Sequence, residues 1–79
     1  MTEIRFAGKR CAELRRGMRM RREELAYRIN RSNWSVIEYE LERKQPPLAV
    51  AATIADVMGV PLDELLVRDR AATATEAIA

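Results

Sequence analysis

A chain of 79 residues has room for one small hydrophobic core and no second. Hydrophobic residues make up 48% of it and charged residues 33%, a balance that excludes a disordered polyelectrolyte and predicts a folded domain. There is no histidine and a single cysteine, Cys11, which excludes an intrachain disulfide, a cysteine-based zinc site and the common histidine-dependent catalytic centres.

The opening MTEIRFAGKR lacks the apolar run of a signal peptide, and no stretch approaches the ~20 apolar residues of a membrane span. A cytoplasmic protein with no membrane partner is the expectation. Net charge is +2, but residues 5–31 carry ten Lys/Arg against Glu13, Glu23 and Glu24, while residues 32–79 carry four basic and eight acidic residues. The first half offers a polyanion a net +7. An ordinary solvated charged surface is the bland alternative.

Residues 1–5 read as a short N-terminal arm. From there Ala7, Cys11, Leu14 and Met18 recur at helical spacing, predicting a first helix that ends near Gly17 and buries Cys11 as a small hydrophobe. Met20 anchors the connection to a second helix from Arg22. That helix has Arg21 where a capping Ser, Thr or Asp is preferred, and Glu23 and Glu24 complement its dipole. Leu25, Ala26 and Ile29 share its inner side, and Asn30 suits its stop because Asn tolerates the left-handed conformation. Ser32 is a ready N-cap for a third helix, from about Asn33 to Leu41, with Val36, Tyr39 and Glu40 on one side.

Neither of these two short helices can bury its apolar face alone. Joined by a tight turn, they form a helix-turn-helix unit, whose second helix can enter the DNA major groove. Gln45-Pro46-Pro47 ends the third helix, and Pro47 opens a fourth with Leu48, Ala51, Ala52, Ala55 and Met58 on one stripe and Ile54 beside it. Gly59 closes the fourth helix, and Pro61–Leu66 predicts a short fifth. Residues 68–79, rich in small side chains, read as a flexible tail. The expected fold is all-α, a compact five-helix bundle over residues 6–67.

With these helices placed, residues 7–66 resemble the Cro/repressor-type (XRE-like) helix-turn-helix family of phage and bacterial regulators, a lambda-repressor-like DNA-binding fold. The matching pieces are AGKRCAELR, EELAYRI, VIEYE and PPLAVAATIADVMGVPLDELL. Ala26 matches the small residue where the second and third helices pack. Family members commonly pair the glutamate at position 40 with an arginine at position 15, which implies an Arg15–Glu40 ion pair. The family usually opens its second helix with Ser-Gln, where this chain has Arg21-Arg22. It usually has glycine at positions 19 and 30, where this chain has Arg19 and Asn30. Arg19 is therefore expected to be mildly strained.

The resemblance implies a sequence-specific regulator, like a phage Cro protein or a restriction-modification controller, that binds double-stranded DNA as a homodimer without cofactor, metal, small-molecule ligand or catalysis. Helix 5 with Val67, or the alanine-rich tail, is the candidate dimerisation element. The recognition helix is about Ser32–Leu41. By family position, Asn33, Trp34 and Glu38 are the base readers: Asn pairs with adenine, Glu38 accepts from cytosine and Trp34 or Ile37 packs on thymine methyls. Ser32 and Ser35 flank them, while Arg22, Arg31, Arg43 and Lys44 hold phosphates.

Trp34, Ile37 and Leu41 form an apolar stripe on the outer face that the core does not require. Three readings are open: contact with thymine-rich DNA, burial against a protein, or packing under the Arg43–Pro47 loop, where Leu41 is the nearest. The second reading defines an alternative function, a protein-interaction module such as an antitoxin or anti-repressor.

Overall fold

The computed structural model describes residues 3–68. Four α-helices run in order: α1 (Gly8–Gly17), α2 (Arg22–Ile29), α3 (Asn33–Glu40) and α4 (Leu48–Met58). Two three-residue strands, β1 (Ile4–Phe6) and β2 (Leu66–Arg68), pair antiparallel with Phe6 opposite Leu66 and Ile4 opposite Arg68.

This corrects the expectation of five helices and no sheet. Leu62–Leu65 makes a single 3-10 turn. It stops there because Leu66 turns extended (φ −118°, ψ 143°) and Val67, a β-branched residue, continues into the strand. Residues expected in the arm (Ile4, Arg5) and in the tail (Arg68) are thus partners in the sheet. The remainder of the expected tail, 69–79, lies outside the described residues.

The core is one cluster in which Leu25, Ile54, Leu65, Val36 and Cys11 are the most deeply buried, with Phe6 and Tyr39 meeting edge to face at 6.5 Å. Burial pushes the Cys11 thiol up to about 12, so it stays protonated and inert at neutral pH. Two expected core members lie outside. Met18 is exposed because α1 has already ended at Gly17, and Leu48 is exposed because Val50, not Leu48, faces inward from the first turn of α4. Ala52 is only half-buried.

Ala7, at the N-cap of α1, has no side chain to cap with. Glu42 supplies the cap from 33 positions away, its Oε2 accepting from the Lys9 backbone N–H at 3.3 Å while Oε1 accepts from Arg5 Nη1 at 2.8 Å. Glu42 reaches this position from a left-handed backbone (φ 61°) just past the end of α3.

Gly8 is where α1 crosses that end. A Cβ there would run into the carbonyl oxygens of Tyr39 and Glu40, the second at 2.6 Å. Gly8→Ala must push α1 off α3, and a loss of about 1–3 kcal/mol is expected. A fall in the urea midpoint at unchanged m-value checks it; an unchanged midpoint contradicts the close approach.

Candidate nucleic-acid interface

Three residues join α2 to α3. Asn30 takes the left-handed conformation (φ 58°, ψ 47°), and the Arg31 N–H donates back to the Ala26 carbonyl at 2.9 Å. Ser32 then caps α3, its Oγ accepting from the Ser35 N–H at 3.1 Å. Local hydrogen bonds thereby set the junction between the two short helices, whose inner faces meet in the core. Arg19 also lies left-handed (φ 56°), in the turn before α2, where the Met20 N–H donates to the Arg15 carbonyl at 3.0 Å.

Behind this unit lies a carboxylate shared by two arginines. Arg15 donates Nε to Glu40 Oε2 at 2.7 Å and Nη2 to Oε1 at 3.1 Å, while its Nη1 donates to the Met20 carbonyl at 2.9 Å. Arg22 adds an Nε bond to Glu40 Oε1 at 3.0 Å. The Arg15 and Glu40 side chains are 8% and 2% exposed, so the charges are removed from water and rely on one another. Arg22 is 37% exposed. It stands between the buried carboxylate and solvent.

In front of Arg22 opens a concavity of about 390 Å³ lined by Arg15, Arg16, Arg21, Arg22, Glu23 and Asn33. Four arginines and one carboxylate, Glu23, line it, and even with the buried Glu40 that Arg15 and Arg22 share, the cleft is electropositive. Asn33, the first residue of α3, sits at its edge and is exposed. Trp34 follows at 61% exposure. Arg31 is exposed, with Nη1 on the Asn30 carbonyl at 3.2 Å. Ser32 and Ser35 are engaged with each other, hydroxyl to hydroxyl at 3.1 Å. Lys44 is exposed on the loop after α3.

Glu38 differs from the others. Its side chain is 16% exposed and forms an ion pair with Arg43 at 3.5 Å, while its carbonyl accepts from the Arg43 N–H at 3.0 Å. The chain reverses through the left-handed Glu42, which brings Arg43 back to Glu38, so the carboxylate expected at a base edge is partly buried and paired. Leu41, the residue expected to pack under this loop, is 52% exposed, and Ile37 is half-buried. Reading residue types missed Arg16 and Arg21 as lining residues. The Arg21-Arg22 pair standing where the family has Ser-Gln was the available signal for the second of them.

Among the described residues, no helix is long and apolar enough to cross a membrane, and no group of three or more His, Cys, Asp or Glu could hold a metal ion. The chain matches no family model and no curated protein. Its fold is similar to the high-resolution crystal structure of the restriction-modification controller protein C.AhdI from Aeromonas hydrophila, with a TM-score of 0.69 at 23% identity over 72% of this chain and 86% of that one. The likeness is one of fold.

Proposed function

We propose that the chain is a sequence-specific DNA-binding transcriptional regulator of the controller-protein or phage Cro/repressor kind, working in the cytoplasm of a bacterial or phage-infected cell. The observation that carries this reading is the exposed start of α3, with Asn33 and Trp34 beside an arginine-lined cleft, at the end of a capped helix-turn-helix. Such a helix reads base edges with its N-terminal residues while cations beside it hold phosphates. The shared fold with a controller protein supports the same reading.

In this proposal Asn33 and Trp34 meet the bases, with Ser32 and Ser35 at the groove wall, and Arg22, Arg31, Arg43 and Lys44 engage the backbone. Glu38, paired with Arg43, serves by holding that arginine. One domain reads few base pairs, so the chain acts as a homodimer on half-sites about 34 Å apart.

Binding to a mixed-sequence duplex at two salt concentrations, followed by selection from a random library, tests the proposal. Steep salt dependence and an enriched motif with two-fold symmetry are expected; no binding at low salt rejects it. Trp34→Ala should weaken the selected duplex about tenfold and a random duplex far less. A second reading, the protein-interaction module, draws on the exposure of Trp34 in α3 and of Leu41 at its C-terminal end. It is favoured if Trp34→Ala leaves DNA affinity intact.

A further inference from the structure

Arg22 makes one hydrogen bond among the described residues, from Nε to Glu40. A guanidinium has two edges that can grip an oxyanion in bidentate fashion. Here the Nε side is taken, and the Nη groups at the tip remain for another acceptor. Glu40 does not need this bond for its own sake, because Arg15 already engages both of its oxygens. Nor does Glu40 cancel the local charge, since two arginines share it while Arg16 and Arg21 have no carboxylate partner among the described residues.

We propose that Glu40 is a positioning residue for DNA binding: it clamps Arg22 by Nε so that the tip of the guanidinium meets one backbone phosphate in the cleft flanked by Arg16, Arg21 and Asn33. The inference rests on the DNA-binding reading above. A free surface arginine loses its rotamer freedom when it binds, whereas Arg22 is held before the DNA arrives. The clamp also explains the intermediate exposure of Arg22, with one edge inside the fold and the other at the surface.

The test uses the selected duplex and measures affinity between 50 and 200 mM salt for the wild type, Arg22→Gln, Arg22→Lys, Glu40→Gln and the Arg22→Gln/Glu40→Gln double variant. Arg22→Gln should bind about tenfold more weakly at low salt, and its log–log salt slope should be shallower by about 0.9, one phosphate's worth. Lysine keeps the charge but cannot grip Glu40 and a phosphate at once, so Arg22→Lys should remain at least about fivefold weaker than the wild type. Glu40→Gln should weaken binding alone and add nothing in the Arg22→Gln background.

Full rescue by lysine, or a Glu40→Gln loss that adds in full to that of Arg22→Gln, overturns the inference. If Glu40→Gln does not fold, as read by its helical circular dichroism, the lysine variant decides. Absence of wild-type binding removes the functional reading itself, and wild-type binding with lysine rescue removes only the clamp.

Discussion

Arg15→Met is expected to destabilise the fold by about 3–5 kcal/mol, enough to leave a small domain of this size close to its unfolding midpoint. The substitution removes three hydrogen bonds, two to Glu40 and one to the Met20 carbonyl. It leaves a carboxylate at 2% exposure facing only the half-exposed Arg22. The size of the loss comes from the stranded charge rather than from the worth of the pair. Replacing both partners, Arg15→Met with Glu40→Leu, should therefore recover most of the stability and return within about 1–2 kcal/mol of the wild type. The double variant also frees Arg22 from its clamp, so it should recover the fold without recovering DNA affinity. Urea unfolding of both variants measures the first effect and duplex titration the second. A single-variant loss below about 1 kcal/mol would show that the pair behaves like a surface salt bridge.

Leu65→Ala carries a comparable expectation, a loss of about 2–5 kcal/mol. Leu65 is 0% exposed, at the end of the 3-10 turn where α1 and α4 converge. Its carbonyl accepts the Ala7 N–H at 2.7 Å, so the same residue fixes the start of α1 and the start of β2. Truncation opens a cavity where the start of α1 meets the start of β2. Leu48→Ala is the control: at 73% exposure it should change stability by no more than about 0.5 kcal/mol. Thermal or urea unfolding of the pair separates the two positions. Equal losses would contradict the burial pattern of α4.

What the amino-acid sequence reveals here divides by range. Ser32 as a cap, Asn30 and Gly59 as left-handed stops, and Cys11 as a buried hydrophobe all depend on neighbours a few residues away, and each is found as expected. The strands escape because three residues carry no usable periodicity and their partners are about 60 positions apart. Glu42 reaching Lys9, and Arg22 joining Glu40, are long-range choices that residue type leaves open.

Leu48 misleads for a simpler reason. It has the right spacing, but it is the first residue of α4, and the buried side of that helix begins at Val50 and Ala51. At the candidate interface, the exposed Asn33 and Trp34 follow from their place at the start of α3, and Arg31 and Lys44 from their place in turns, while the Glu38–Arg43 pair depends on a backbone reversal at Glu42 that only glycine or asparagine would have advertised.

The strand pair has a kinetic meaning. Packing of α2 on α3 closes a short loop, whereas joining Phe6 to Leu66 closes nearly the whole described chain. Loop-closure entropy opposes that step until the helices have drawn the ends together. The seam between β1 and β2 is therefore expected to close late in folding, after the helices have packed.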